Sequence, residues 1–202
     1  AGDISFTSIG TTRTLTLNGD VNLDGNIVVT SGTANANVVF GGDVTGGSTI
    51  SFSGANSNLT INGTGDLVFP LSGPTSLETL TANRSSGILT FNETLDINTN
   101  AGASAFNITD GGVEINADVN GRDITVTNGS SLTVIGNTTL TNTLTITDGT
   151  VQSDGDLSIA NDLIVTSGDI IANGSVTLTD DLTLGAGTTF SFLDQEVTLN
   201  GS

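Results

Sequence analysis

Along most of this chain apolar residues recur at every second position, with Thr, Ser or Asn between them. "TLTLNG" (14–19), "ITVTNG" (124–129), "LTITDG" (144–149) and "VTLTDDLTL" (176–184) show the pattern. A period of two is that of a β-strand with one buried face. The runs end in Asn-Gly, Asp-Gly or Ser-Gly, the pairs best suited to tight turns. Apolar spacing at i, i+3, i+4 and i+7 is not sustained anywhere, and strong helix formers are not concentrated in any segment, so no helix is expected.

The strand–turn units repeat. Four 14-residue segments align without a gap: "GDVNLDGNIVVTSG" (19–32), "GNTTLTNTLTITDG" (136–149), "GDLSIANDLIVTSG" (155–168) and "GSVTLTDDLTLGAG" (174–187). The strand that closes this unit leads with Phe106, Ile124, Leu144, Leu163 and Leu182, at steps of 18, 20, 19 and 19. A period near 19 built from strand-length pieces is the mark of a solenoid.

One coil of that length cannot bury its own apolar face. Stacked about 4.8 Å apart, coils pair backbone to backbone and pile Val, Ile and Leu into inward columns. The expected fold is therefore all-β: a parallel β-helix (β-solenoid) of roughly triangular coils of about 19 residues, forming a single domain over 1–202. At that length about ten coils fit, a rod of about 45–50 Å. The stretch "VFPLSGPTSLETLTANRSSGILTFNET" (68–94) breaks the register and carries both prolines, Pro70 and Pro74, and Arg84. It reads as an irregular longer coil or a loop thrown out at a corner, with a recognition loop as the functional alternative.

"GDVNLDGN" (19–26) resembles the opening of a calcium loop, with oxygen donors at Asp20, Asn22 and Asp24. The twelfth position from Asp20, where a bidentate acid is needed, is Ser31. In the repeat alignment Val21, Leu23 and Ile27 fall on Leu157, Ile159 and Leu163, and on Val176, Leu178 and Leu182. They read as inward side chains, and Asp24-Gly25-Asn26 reads as a corner.

Composition narrows the function. The chain has no Cys, Met, Trp, Tyr, His or Lys; its only cations are Arg13, Arg84 and Arg122, and its formal charge is −18. Such a balance offers no footprint for nucleic acid. No apolar run approaches the roughly 18 residues of a membrane span, so no membrane insertion is expected. Nucleophile–base dyads, Schiff bases and ordinary zinc sites lack their residues. A hydrophobic fraction of 35%, placed periodically, argues for a folded chain. "AGDISF" at the start suits a cleaved mature N-terminus of a processed or excised piece.

Thr/Asn-rich strands such as "LTLNGDVNLDGNIVVTSG" and "SLETLTANRSSGILTFNETLDIN" resemble the β-solenoid regions of bacterial secreted surface proteins, the autotransporter passengers and filamentous-haemagglutinin-like adhesins. The resemblance is one of composition and period and covers the whole chain. It implies a parallel β-helix, an extracellular or cell-surface location and a role as stalk, adhesin or fibre. It defines no functional residue to carry over.

The remaining chemistry is sparse. Asp180-Asp181 is the one adjacent acid pair, the only trace of a glycosidase-like carboxylate arrangement, and it sits at an expected corner. Thr125/Thr127, Thr143/Thr145 and Thr177/Thr179 raise the possibility of a regular threonine face of the kind ice-binding solenoids present; Val28/Thr30, Ile164/Thr166 and Thr183/Gly185 interrupt it in the aligned coils. Sequons occur at Asn58, Asn62, Asn83, Asn92, Asn107, Asn128, Asn137, Asn173 and Asn200. No catalytic, cofactor or metal residue is assigned. Corner acids stacked along the rod make loose, multi-site calcium binding an expectation. "TLTLNGD" (14–20) matches "VTLNGS" (197–202), so the chain stops where another coil would begin: a segment of a longer protein, or a subunit that stacks end to end. The expected function is an extracellular structural or adhesive solenoid, not an enzyme, self-associating end to end and meeting cell-surface glycans. The alternative is a polysaccharide-binding or polysaccharide-degrading β-helix.

Overall fold

The computed structural model describes residues 2–54, 56–73, 75–97, 105–193 and 196–201. It is an all-β solenoid of about nine turns, and every strand pairing in it is parallel. Each coil runs through three strands separated by corners, giving the stack three sides. The first side holds Arg13–Leu17, Ala36–Phe40 and Ser57–Gly63 early in the chain, and Leu144–Ile146, Leu163–Val165 and Leu182–Leu184 late. A 14-stranded sheet covers this side and, through two long strands that bend round a corner, most of the second side. The third side carries a three-stranded and a seven-stranded sheet. Among the described residues no helix is long and apolar enough to cross a membrane.

One inward column runs unbroken down the first side: Leu15, Val38, Leu59, Leu80, Phe106, Ile124, Leu144, Leu163 and Leu182. Its last five members are those the sequence period picked out. Like residues sit above one another because the pleat sends alternate side chains inward and parallel pairing keeps the register. Leu23, Ile27, Leu157, Ile159, Leu163, Val176 and Leu178 are all buried, and Asp24-Gly25-Asn26 joins the strands Val21–Leu23 and Ile27–Ser31.

Two features differ from the sequence expectation. Coils lie about 21 residues apart, not 19. The 19-residue step holds where Leu144 pairs Leu163 and Leu163 pairs Leu182, but Ile4 pairs Ile27, 23 positions on, and Thr79 pairs Ala105, 26 positions on. Early strands such as Ile27–Ser31 and Ala36–Phe40 have five residues where Leu157–Ile159 and Leu163–Val165 have three. The larger early coils enclose more space, which aromatic rings fill. Phe69 lies 5.3 Å from Phe40 and 5.9 Å from Phe91, while the narrower later coils close on Val, Ile and Leu.

The second difference is one of phase. In the gapless alignment 19–32 matches the three later segments, yet Val21–Leu23 lies on the second side and Leu157–Ile159 on the third. All three sides share one strand–corner–strand pattern, so a short alignment can slip by a side while keeping every inward position correct.

Within 68–94, Thr79–Phe91 is a single 13-residue strand. Its first half pairs Ser57–Gly63 and its second half Leu67–Val68, with register shifts between Ala82 and Ile88 where it turns the corner. Pro70 precedes the bridge from Leu71 to Ile50, and Pro74 lies outside the described residues.

Candidate functional site

Corner acids and asparagines act as hydrogen-bond acceptors between coils. Asp118 Oδ1 accepts from the Asn137 amide (2.8 Å), Asn137 Oδ1 from the Asp156 amide (3.0 Å), and Asp156 Oδ1 from the Ser175 amide (2.9 Å). A corner amide has turned away from the sheet ladder, and the side chain of the coil before supplies its partner. Asp20 of "GDVNLDGN" does the same for the Asp43 amide at 3.0 Å, and Asp24 is exposed. Amide side chains extend the ladders: Asn58 Nδ2 donates to Asn37 Oδ1 (2.9 Å) and Asn83 Nδ2 to Asn62 Oδ1 (3.2 Å). Several sequon asparagines are therefore engaged in bonds between coils.

Arg84 is 1% exposed. Its guanidinium donates to the carbonyls of Asn62 (3.0 Å), Thr64 (2.6 Å) and Gly65 (2.8 Å), one coil before, and pairs with Asp43 (2.8 Å), two coils before. Gly63 makes room: a Cβ there would lie 3.1 Å from Arg84 Nη1. The residue that drew attention in the irregular stretch is thus a clamp across three coils. Sequence alone gave no sign of this, since Asp43 is 41 positions away.

The acid pair Asp180-Asp181 gains a third member. Carboxylate oxygens of Asp162, Asp180 and Asp181 lie within 4.8 Å of one another, Asp162 half-buried and the others exposed. The signal for Asp162 was the 19-residue step that stacks it under Asp181. Asp180 and Asp181 border a hollow of about 380 Å³ in the last coil, lined also by Leu178, Leu182 and Leu199. A second hollow of about 240 Å³ opens in the first coil, among Ile4, Leu17, Val21 and Leu23. Leu184, Phe192, Leu193 and Leu199 are exposed at the far end and Ile4 and Ile9 at the near end.

Along the first side, Thr16, Thr60, Thr81, Thr125, Thr145 and Thr183 share one outward column with Val39, Asn107 and Ile164. Thr125 and Thr145 are thereby adjacent. Thr177 lies on the third side, as do Val28 and Thr30, which the repeat alignment had set against Ile164 and Thr166.

No family model, curated protein or solved structure matches this chain.

Proposed function

We propose that this protein is a structural module of the cell exterior: a stiff β-solenoid rod that serves as a surface stalk or joins end to end into a filament. What supports this reading most is the unbroken stack itself: every strand pairing is parallel, and one inward column keeps its register from Leu15 to Leu182. A continuous ladder of this kind makes each coil the support of the next, the property a rod or filament needs. The outward column of the first side is mostly Thr, with Asn107, Val39 and Ile164 among them, a largely polar surface suited to an adhesin that meets cell-surface glycans. The extracellular placement rests on the resemblance of the Thr/Asn-rich strands to secreted surface solenoids.

The polysaccharide-binding or polysaccharide-degrading reading has one observation in its favour, the grouping of Asp162, Asp180 and Asp181, of which Asp180 and Asp181 line a hollow. Electron microscopy of the purified chain, with and without millimolar calcium, tests the structural reading. Filaments whose axial repeat matches a stack of about nine coils, about 43 Å, are expected. Single short rods under every condition, together with binding or cleavage on a glycan array, would favour the polysaccharide reading instead.

A further inference from the structure

An asparagine followed by glycine is open to self-modification, because glycine has no Cβ to keep its amide nitrogen from the preceding side chain. The fold treats the Asn–Gly pairs of its inner coils very differently. Asn62–Gly63 lies within the strand Ser57–Gly63 and Asn120–Gly121 within Val119–Gly121, so their backbones belong to the sheet ladders. Asn62 Oδ1 accepts from Asn83 Nδ2 (3.2 Å), and Asn120 Nδ2 donates to Asp96 Oδ1 (2.9 Å). At the turn Asn128–Gly129 the Gly129 amide donates to the Asp148 carbonyl (3.0 Å) and Asn128 Nδ2 to the Thr109 carbonyl (3.0 Å). In these three pairs the backbone and the side chain are both committed.

Asn173–Gly174 is different. It stands at the corner between Asp169–Ala172 and Val176–Leu178, and neither residue belongs to a strand. Asn173 is anchored to the coil before it: its amide donates to the Ser153 carbonyl (2.8 Å) and its Nδ2 to Asp154 Oδ1 (2.7 Å). Its Oδ1, by contrast, is buried without a hydrogen-bond partner, and the Gly174 amide makes no hydrogen bond among the described residues. Attack of that nitrogen on the side-chain carbonyl therefore breaks no hydrogen bond of either atom. Two reacting groups held next to each other in one chain also need no encounter to meet.

We propose that Asn173–Gly174 is a self-modification site. The Gly174 nitrogen, giving its proton to hydroxide, attacks Asn173 Cγ. The N–Cγ bond forms, the Cγ–Nδ2 bond breaks and the side-chain nitrogen leaves as ammonia. Water then opens the succinimide ring, at Cγ to give aspartate or at the main-chain carbonyl to give isoaspartate. Either product sets a carboxylate where Nδ2 had donated to Asp154, so a donor–acceptor pair between coils becomes two like charges in contact. Isoaspartate also lengthens the backbone at a corner where a Cβ on Gly174 would come within 2.4 Å of the Gly155 carbonyl oxygen. The reaction thus loosens the stack at this corner. It belongs to the single chain and does not depend on end-to-end assembly.

Peptide mass spectrometry tests this. The folded chain is held in mildly alkaline, isotopically labelled water, sampled over days and digested, and conversion of amide to acid is read at each Asn–Gly pair. Asn173 is expected to convert several-fold faster than Asn62, Asn120 and Asn128, and the four are expected to react at similar rates in guanidinium, where the fold no longer separates them. Conversion at any of the other three that keeps pace with Asn173 in the folded chain overturns the proposal. So does a folded chain that stays unmodified at Asn173 while the unfolded chain reacts there. Asn173→Gln, whose longer side chain closes the ring far more slowly, is expected to abolish the signal from this peptide; a signal that persists there overturns the assignment. Asn173→Asp reproduces one product and is expected to lower the melting temperature by about 2–4 °C, the shift of one lost interaction in a chain of this size. An unchanged melting temperature overturns the loosening of the corner.

Discussion

Arg84 shows what a single side chain does in this molecule. A buried guanidinium has lost its water and must find acceptors, and here backbone carbonyls of the preceding coil and Asp43 provide them. Arg84→Met would leave those carbonyls unpartnered, and the expected loss is about 3 kcal/mol, read from the denaturant midpoint. Arg84→Lys is not expected to restore it, because an ammonium cannot fork to several acceptors at once. An unchanged midpoint in Arg84→Met would mean that the clamp contributes no stability. Thr138 is the opposite case. It stands in an inward column between Val119 and Leu157, is 3% exposed, and its hydroxyl has no hydrogen-bond partner among the described residues. Thr138→Val keeps the shape and removes the stranded polar atom, so a gain of about 1 kcal/mol is expected; a lower melting temperature would contradict it.

At the scale of strands and corners, stability is a property of neighbouring coils. Gly136, Gly155 and Gly174 stack at one corner, and a Cβ on Gly155 would come within 2.4 Å of the Gly136 carbonyl oxygen. Gly155→Ala should therefore force the two coils apart at that corner and cost about 1–3 kcal/mol, again by denaturant midpoint. The adjacent acceptor, Asp156, is exposed and holds the Ser175 amide of the next coil. Asp156→Asn keeps an acceptor oxygen and should be nearly neutral, while Asp156→Ala should lower the melting temperature. Equal melting temperatures for the two variants would show that the carboxylate serves charge rather than hydrogen bonding. The glycine and the acid belong together: one lets the backbones approach, and the other satisfies an amide that the turn exposes.

For the molecule as a whole, the balance lies between continuous sheets and accumulated negative charge. Acids placed at corners are carried into rows by the stacking itself, so self-repulsion is built into the rod. Raising ionic strength from 0.01 M to 0.15 M shortens the screening length from about 30 Å to about 8 Å, and the melting temperature should rise with it. Millimolar calcium should raise it further than sodium at equal ionic strength if stacked acids share a cation. A melting temperature indifferent to salt would mean that corner hydrogen bonds already offset the repulsion.

The strand period, the turn residues, the inward identities of Leu157, Ile159 and Leu163 and the column from Phe106 to Leu182 are all consequences of local alternation, and the sequence by itself determined them. Chain order alone also required stacking, since no single coil has an interior. Only the tertiary structure decided which side each strand occupies, because the three sides are written in one pattern and Val21 could be set beside Leu157 without any mismatch. The step of about 21 residues was likewise hidden. It averages wide early coils filled by phenylalanine with narrow late ones, and the late coils supplied the clearest repeats. Arg84 with Asp43, and Asp162 with Asp180 and Asp181, meet across coils through long-range pairing. Such contacts depend on exact coil lengths, which alternation of apolar and polar residues does not record.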